Sequence, residues 1–344
     1  MKFDFAIGNP PYQDNTIGEN DTFAPPVYNR FMDAAYEVAD RVELIHPARF
    51  LFDAGSTPKQ WNQKMLNNTH FKIMEYEEDC RKVFANTDIK GGIAISYHDK
   101  SKEFGAIEIF TPNEILNSIL QKTRKYEDFK SFSKIVITRT AYRLTDKMHE
   151  DYPEAIKQLS NGHAYDMSSN IFERLPQIFF EKMPKDGHKY IKILGRENNE
   201  RVYKYVREDY VRETTNLYKY KVLIPGASGV GQFGEAIASP LIAEPGVGTT
   251  ETFISIGAFA DIESAKNARK YICTKYARTM LAILKKTQAI TPEKWRYVPL
   301  QNFTNLSDID WEKPGPEIDK QLYKKYGLSE EEIAFIEANV KEME

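Results

Sequence analysis

The sequence predicts an α/β protein in which a partial doubly wound sheet is followed by an α+β domain. Strand and helix patterns alternate over about the first hundred residues, which favours a parallel sheet. From about Thr111 the segments become longer, more polar and richer in aromatic residues. A chain of 344 residues can form two domains. We therefore predict a first domain over 1–110, a second over 111–310 and a helical segment over 311–344.

The elements of the first domain are predicted from apolar runs that Pro, Gly and polar residues end. In chain order they are a strand over Phe3–Ile7, a helix over Pro26–Ala39, a strand over Val42–His46, a helix over Pro58–Leu66, a strand over Phe71–Tyr76 and an antiparallel hairpin of Gly91–Tyr97 with Ala106–Phe110. Such a set corresponds to the second half of a doubly wound sheet.

The second domain is predicted to contain short strands over 223–224, 242–243 and 253–256, set between Gly and Pro turns. One apolar stripe predicts a single long helix over Asp261–Lys286. The last segment predicts two helices separated at Gly327. Ser329 and Glu332 have the spacing of a capping box, which would start the second of these helices.

The composition predicts a cytoplasmic protein. Hydrophobic residues make up 41% and charged residues 28% of the chain, and no apolar run approaches the roughly 18 residues of a membrane span. Asp4 interrupts the start of the chain early, so no signal peptide is expected. The 2 cysteines are isolated and the 6 histidines lack metal-ligand spacing. We therefore expect no membrane partner, no metal and no disulfide.

The net charge of −3 neither requires nor excludes a nucleic-acid partner, so its distribution is more informative. The segment 120–147 is locally basic, with Lys122, Arg124, Lys125, Lys130, Lys134, Arg139, Arg143 and Lys147 against Glu127, Asp128 and Asp146. It is either a solvated helix face or a surface that follows a phosphate backbone, and the sequence leaves both interpretations open.

The motif Asn9-Pro10-Pro11-Tyr12 directly follows the first predicted strand. The Asn9 amide oxygen and the Pro10 carbonyl can accept both hydrogens of an exocyclic amine, which draws its nitrogen towards the tetrahedral geometry needed to attack a methyl donor. The two prolines fix φ and so hold these acceptors in place. Tyr12 offers a flat face, and stacking of a base on such a face contributes about 1–3 kcal/mol. A base inside a duplex cannot reach this loop, so the chemistry implies base flipping.

A plain turn with a packed tyrosine is the alternative interpretation, because Asn-Pro-Pro is also favourable turn chemistry. Four residues alone leave the two interpretations about equal. The preceding strand, which begins with an aromatic and an acidic residue at Phe3 and Asp4, favours the catalytic one.

The stretch from Phe3 to Tyr12 resembles motif IV of the adenine-specific DNA methyltransferases, whose catalytic sheet is Rossmann-like. Ile45–Phe50 is similar to the next strand of that family and its Pro-Ala loop. Val83-Phe84, together with Asp88–Ala94, looks like motif VIII.

The resemblance implies transfer of a methyl group from S-adenosylmethionine to the exocyclic amine of adenine in a specific DNA sequence. By this match, Asn9, Pro10, Pro11 and Tyr12 form the catalytic loop. Phe84 would then be the second residue, beside Tyr12, that stacks on the flipped base.

The later part of the chain resembles the target-recognition domain of restriction-modification methylases of the type IIG kind. The matching stretches are Tyr220–Pro225, Glu244–Gly246, Thr250–Thr252, Trp295–Gln301, Ile309–Trp311 and Leu322–Leu328. The resemblance implies double-stranded DNA as a partner. The predicted DNA contacts are Arg139, Arg143, Lys219, Lys221 and Arg296, each of which could instead be a surface salt-bridge partner.

The sequence departs from the family at the donor site. Related enzymes carry a Gly-rich donor loop upstream of motif IV, where this chain has only 8 residues. The S-adenosylmethionine site is therefore expected to be incomplete, and a partner chain, a decayed gene and a fragment all remain possible explanations. The later Gly-rich stretch from Gly226 to Gly231 is a poor candidate, because too few residues separate it from Pro240 for a helix. The edge of the Phe3–Ile7 strand is expected to be exposed and to promote association.

Two other functions remain as alternatives. The chain could be a catalytically inactive DNA-binding specificity module or truncated remnant, which would bind DNA without regard to the donor. It could also be an RNA or protein methyltransferase, since motif IV alone fits these enzymes as well.

Overall fold

The computed structural model describes residues 3–14, 24–52, 55–85, 87, 89, 91–111, 113–212, 214, 216–285 and 287–343. The chain divides into two compact units, Met1–Asn117 and Ser118–Glu344. The boundary predicted near residue 110 lies a few residues before this division. Helix α3 (Glu114–Arg124) runs across it. No helix in the described part of the chain is both long enough and apolar enough to span a bilayer.

The N-terminal unit is a mixed α/β structure. Its elements before α3 are β1 (Phe3–Gly8), α1 (Tyr28–Val38), β2 (Ala39–Pro47), α2 (Lys59–Leu66), β3 (Phe71–Glu77) and β4 (Ile93–Asp99). These bounds confirm the first three predicted strands and both predicted helices, because local apolar patterns determine them.

The sheet of this unit has the order β1-β2-β4-β3. Only β1 and β2 are parallel, and β4 is antiparallel to both of its neighbours. The predicted hairpin of Gly91–Tyr97 with Ala106–Phe110 is wrong, because β4 lies in the interior of the sheet and 106–110 forms no strand. The buried side chains of Ile93 and Ala94 fit this interior position.

One face of the sheet carries the core of the unit, in which Met32, Phe50, Met65 and Phe71 are fully buried. β1 is the edge strand of the sheet formed by the described residues. Its alternate side chains, Phe3, Phe5 and Ile7, are 49%, 47% and 74% exposed. The predicted exposed apolar edge is therefore present.

The C-terminal unit contains two sheets, with strand orders β10-β6-β7 and β5-β11-β8-β9. The elements after α3 are β5 (Val136–Ile137), α4 (Asp146–Asp151), α5 (Ile171–Arg174), β6 (Tyr190–Glu197), β7 (Glu200–Arg207), β8 (Tyr220–Pro225), β9 (Leu241–Ala243), β10 (Val247–Thr249), β11 (Phe253–Phe259), α6 (Ile262–Cys273), α7 (Lys275–Ala282), α8 (Gly315–Lys325) and α9 (Glu330–Asn339).

The single long helix predicted over Asp261–Lys286 is wrong, because the chain breaks into α6 and α7 at Thr274. Thr274 has extended backbone angles and its side chain caps α7. The carboxylate of Asp319, in α8, accepts the N–H groups of Lys275 and Tyr276 at 3.0 and 2.8 Å. A distant side chain thus satisfies backbone donors that a continuous helix would have bonded internally.

The two C-terminal helices and their capping box at Ser329 and Glu332 are confirmed. Glu332 also accepts hydrogen bonds from Ser118 Oγ at 2.6 Å and Lys122 Nζ at 2.7 Å, both in α3. The last helices therefore form part of the same compact unit as 118–310.

Sequence analysis missed the β6–β7 hairpin. Its turn residues, Asn198 and Asn199, have φ of 51° and 65°, values that asparagine tolerates better than most residues. Two asparagines between runs of alternating apolar and polar residues are a typical hairpin signal, so the sequence did contain the information.

Candidate active site

The Asn9-Pro10-Pro11-Tyr12 loop leaves the carboxyl end of β1, beside the end of the parallel strand β2. Asn9 and Pro11 are exposed, whereas Pro10 and Tyr12 are half-buried. The Asn9 amide is thus available to a ligand, while Tyr12 packs against the core of the unit.

Backbone contacts to the segment before α1 hold this loop in place. The Tyr12 carbonyl accepts the Val27 N–H at 3.1 Å, and the Asp14 N–H donates to the Pro25 carbonyl at 2.9 Å. These two hydrogen bonds hold the backbone on either side of Gln13, and the two prolines fix φ at positions 10 and 11. The Asn9 side-chain oxygen and the Pro10 carbonyl, which are the two acceptors, therefore belong to a constrained segment.

Phe84 lies in a second loop, after a short 3₁₀ turn over Cys80–Lys82. Its N–H donates to the Cys80 carbonyl at 2.8 Å, and Thr87 Oγ1 donates to its carbonyl at 2.7 Å. The Phe84 and Tyr12 rings meet with centroids 6.4 Å apart at an interplanar angle of 69°. The structure thus brings the two predicted base-stacking residues into edge contact, and a base that enters between them must displace this contact.

The Cys80 thiol lies within these loops. It accepts the Ile89 N–H at 3.1 Å and donates to the Thr87 carbonyl at 3.4 Å, so it fixes the segment that follows Phe84. Burial, and secondly the proximity of Cys80, raise the pKa of Tyr12. The Tyr12 hydroxyl is therefore neutral at physiological pH, and it is buried without a hydrogen-bond partner among the described residues.

The Pro-Ala loop and the motif VIII strand of the resemblance are adjacent. The Ala48 N–H donates to the Gly92 carbonyl at 3.0 Å. Gly92 has a φ of 74°, and a Cβ there would lie 2.5 Å from the Glu77 carbonyl oxygen, so this position requires glycine. Asp88 and Lys90, which belong to the same predicted motif, lie outside the described residues.

The predicted DNA contacts have different environments. Arg139 and Lys219 are exposed. Arg296 is exposed as well, but it is bonded to Glu293. Arg143 is half-buried and pairs with Asp166 at 2.9 Å.

Lys221 is not available as a DNA contact, and that prediction is wrong. Its side chain is fully buried, and its ammonium donates to the carbonyls of Leu217, Lys219 and Glu244 at 3.2, 2.8 and 3.4 Å. Burial lowers the pKa of Lys221 to about 8. The strand β8 lies between β11 and β9 in its sheet and is buried on both faces from Lys221 to Ile224, which the charge of Lys221 gave no reason to expect.

The locally basic segment is partly neutralised. Lys122 pairs with Glu332 at 2.7 Å, and Lys147 pairs with Asp151 at 2.8 Å. For these residues, and for Arg143, the structure favours ion pairing within the unit.

The Gly-rich stretch holds a carboxylate of this chain. Glu235 accepts the N–H groups of Val230 and Gly231 at 2.8 and 2.9 Å and pairs with the buried Lys285. A Cβ at Gly229 would lie 2.3 Å from this carboxylate. The anion-binding groups of the loop are thus occupied internally, which fits the prediction that it is not a donor loop.

Among the described residues, no group of three or more His, Cys, Asp or Glu side chains is arranged to hold a metal ion. The buried His46 bonds Ser96 Oγ at 2.8 Å and the Pro47 carbonyl at 3.1 Å, so its contacts are structural.

The sequence of the N-terminal unit matches a known family. Residues 1–84 match the model of the Eco57I restriction-modification methylase family. An uncharacterized adenine-specific methylase from Mycoplasma pneumoniae is 32% identical over 95 residues, which cover 27% of this chain and 22% of the relative. The chain thus spans about a fifth of the length of this relative. These matches confirm the resemblance to adenine-specific restriction-modification methylases for the N-terminal part of the chain.

Two solved structures are similar over most of the chain at low identity. The type IIG restriction endonuclease BpuSI has a TM-score of 0.30 at 8% identity, with 90% of this chain and 45% of that one covered. The type IIL enzyme MmeI, solved in complex with DNA, has a TM-score of 0.35 at 10% identity, with 97% and 56% covered. Neither superposition is close enough to bear on the C-terminal unit, whose role stays a prediction.

Proposed function

We propose that this chain carries the substrate loop and the DNA-recognition part of an adenine-specific DNA methyltransferase of a restriction-modification system, with S-adenosylmethionine as the methyl donor. One observation carries this proposal: Tyr12 and Phe84 are far apart in the sequence, yet their rings meet at the loop that also carries the exposed Asn9. A plain turn at Asn9-Pro10-Pro11 would have no reason to place a second aromatic residue there. The family match of residues 1–84 supports the same reaction.

The loop can hold an exocyclic amine by its two hydrogens. The Asn9 side-chain oxygen accepts one and the Pro10 carbonyl accepts the other, so the nitrogen lone pair is no longer free to delocalise into the ring. The proline-fixed backbone keeps both acceptors ready before the substrate arrives. Once the new carbon–nitrogen bond forms, the nitrogen carries a positive charge and loses one proton to solvent, because the Asn9 and Pro10 oxygens can accept a hydrogen bond from it but are too weakly basic to keep it.

Tyr12 and Phe84 would hold the flipped base. The edge contact between the two rings must open to admit the base, and stacking on an aromatic ring then contributes about 1–3 kcal/mol per base. The hydroxyl of Tyr12 stays protonated because burial raises its pKa, so the clamp presents no negative charge to the base.

The described residues of this chain do not fit the donor by themselves. A nucleotide-like donor is normally bound by a Gly-rich turn between a strand and a helix. The Gly-rich stretch near Gly229 is filled by Glu235, and it belongs to the C-terminal unit. We therefore propose that polypeptide outside the described residues, on a partner chain or on a longer form of this one, completes the donor site, and we derive no step of the reaction from the donor.

The test is methyl transfer from labelled S-adenosylmethionine to genomic DNA by the chain together with proteins that copurify from its host, with the product identified by mass spectrometry. We expect methylated adenine in the DNA. Asn9→Ala should lower the rate by about 10²–10³, as expected for loss of one preorganised hydrogen-bonding group. Asn67→Ala, an exposed asparagine of the same unit, is the matched control and should leave the rate unchanged.

Full activity of Asn9→Ala would refute the catalytic assignment. Label in RNA or protein instead of DNA would favour the alternative that the chain belongs to an RNA or protein methyltransferase. Calorimetry of S-adenosylmethionine with the chain alone should show no binding, and micromolar affinity would refute the need for a partner. Sequence-selective DNA binding without any transfer would favour the inactive specificity module.

A further inference from the structure

We infer that Cys80 is a positioning residue of the base-stacking pair, which consists of Tyr12 and Phe84. Its thiol fixes the end of the loop that carries Phe84, and this loop holds the Phe84 ring against Tyr12. Cys80 thus acts on the base through Phe84. The inference deepens the proposed function, and it rests on that function only for the identity of the ligand, a flipped base.

Two backbone hydrogen bonds attach the start of this loop to Cys80. The N–H groups of Val83 and Phe84 donate to the Cys80 carbonyl at 3.1 and 2.8 Å. A main-chain carbonyl is present whatever side chain stands at position 80, so these two bonds require no particular residue there. The start of the loop is therefore fixed independently of the thiol.

The Cys80 thiol attaches the end of the same loop. Its sulfur accepts the Ile89 N–H at 3.1 Å, and its S–H donates to the Thr87 carbonyl at 3.4 Å. Thr87 Oγ1 in turn donates to the Phe84 carbonyl at 2.7 Å. The bonds run from Cys80 through Thr87 to Phe84 and back to the Cys80 carbonyl. Phe84 thus lies in a closed set of hydrogen bonds in which the thiol supplies the link between Cys80 and Thr87.

The thiol also connects this loop to the carboxyl end of the sheet. The carbonyl of Ile89 accepts the Gly92 N–H at 3.2 Å, and the Gly92 carbonyl accepts the Ala48 N–H at 3.0 Å. Ala48 directly follows β2, the parallel neighbour of β1. These bonds therefore link Phe84 to the pair of strands from which the loop of Tyr12 also leaves.

A buried residue that only fills space is the alternative role for Cys80, because free cysteine often behaves as a small hydrophobic residue. Cys80 is 4% exposed, and its proximity adds to the effect of burial in raising the pKa of Tyr12. An apolar side chain would fill the same space, but it would neither donate to Thr87 nor accept from Ile89. The two bonds of the sulfur thus favour the positioning role.

The test is a double-mutant cycle on the full-length chain with Cys80→Ala and Phe84→Ala. The probe is a DNA duplex with 2-aminopurine, a fluorescent analogue of adenine, opposite an abasic site, because an unpaired base costs little to flip. Fluorescence titration gives the affinity of each variant. Phe84→Ala should weaken binding by about 5- to 150-fold, which corresponds to lost base stacking. Cys80→Ala should weaken it by about 2- to 10-fold, which corresponds to one lost hydrogen bond.

The coupling between the two changes distinguishes positioning from general stability. If Cys80 acts through Phe84, Cys80→Ala should cause no further loss of affinity in a chain that already carries Phe84→Ala. Cys80→Ser keeps a donor and an acceptor, so it should bind the probe more tightly than Cys80→Ala. The matched control is Cys273→Ala, which removes the buried cysteine of the C-terminal unit and should leave the affinity unchanged.

A measurement on the wild type keeps the inference testable if Cys80→Ala does not fold. Iodoacetamide reacts with the buried Cys80 only when the contacts of its thiol open. A base held by Tyr12 and Phe84 stabilises the closed contacts, so the probe should slow the alkylation of Cys80 and leave that of Cys273 unchanged. Mass spectrometry measures both rates. An unchanged or faster reaction of Cys80 would overturn the inference.

The outcomes separate this inference from the proposed function. Weaker binding by Phe84→Ala together with wild-type binding by a folded Cys80→Ala overturns the inference alone. Losses that add up in the double variant also overturn it, because they assign Cys80 to general stability. Wild-type affinity in Phe84→Ala, or no fluorescence response from the wild type, would refute the base-stacking pair itself, and both proposals would fail.

Discussion

The exposed strand side chains of the two units have different chemistry. In the N-terminal unit Phe3, Phe5 and Ile7 on the edge strand β1 form an exposed apolar row. In the C-terminal unit Lys192, Arg196 and Arg201 of the β6–β7 hairpin are exposed, whereas Leu194, which lies between the two β6 cations on the same face, is fully buried. Water solvates these cations but disfavours the apolar row, which favours burial of β1 against further polypeptide.

The units also bury titratable groups of opposite sign. Burial lowers the pKa of His46, in the N-terminal unit, to about 4. In the C-terminal unit, burial raises the pKa of Asp319 to about 6, despite the two backbone N–H groups that favour its charged form. Acidification should therefore affect the stability of the two units in opposite directions.

The largest effect is expected from the apolar row. Phe5→Asp with Ile7→Asp should abolish self-association of the chain or its binding to a partner. Burial of each such side chain contributes about 1.5–3 kcal/mol, so the pair should change the affinity by at least about 100-fold. Sedimentation velocity of the wild type and the variant measures this change. Leu306→Asp, at an 83% exposed position of the C-terminal unit, is the control and should have no effect. A wild type that is monodisperse, monomeric and cooperatively unfolding would contradict the expectation.

The next effect concerns His46. Its folded pKa lies below the ordinary value of 6.5, so the unfolded chain binds the proton more tightly. The contribution of His46 to the free energy of unfolding of the N-terminal unit should be complete above pH 6.5. The free energy of unfolding should then fall by up to about 3 kcal/mol as the pH falls towards 4. Amide hydrogen exchange in β2 and β4 measures this dependence. His46→Gln should flatten it, and an unchanged slope in that variant would assign the effect to another group.

A slightly smaller effect of opposite sign is expected from Asp319. Its folded pKa lies above the ordinary value of 3.8, so the folded chain binds the proton more tightly. The C-terminal unit should lose up to about 3 kcal/mol of stability as the pH rises from 3.8 through about 6. Hydrogen exchange in α7 and α8 reports on it, and Asp319→Asn should remove the dependence. If both units respond to pH in the same direction, the contrast between them is wrong.

Local patterns predicted much of the fold, and long-range contacts decided the rest. The β1 strand, α1 and the capping box at Ser329 follow from residues within one turn or one strand. The interior position of β4 and the break at Thr274 do not, because they depend on partners elsewhere in the chain, Asp319 among them. The burial of Lys221 shows the same limit, since three carbonyls from the fold, rather than any neighbouring sequence, accommodate its charge.

The arrangement of the candidate site was largely predictable from the sequence. Asn9 and Tyr12 belong to one motif, and the resemblance named Phe84, which the structure places against Tyr12.

The bonds from Glu332 to Ser118 and Lys122 join positions more than 200 residues apart. During synthesis, α3 emerges from the ribosome long before its partner helix α9 exists. The contacts between α3 and α9 thus cannot form until α9 has been synthesised, and non-local contacts of this kind slow folding. At about 5–20 residues per second, synthesis of the residues between α3 and α9 takes on the order of 10–40 seconds. Through this interval the surface of α3 that α9 later contacts stays uncovered on the nascent chain.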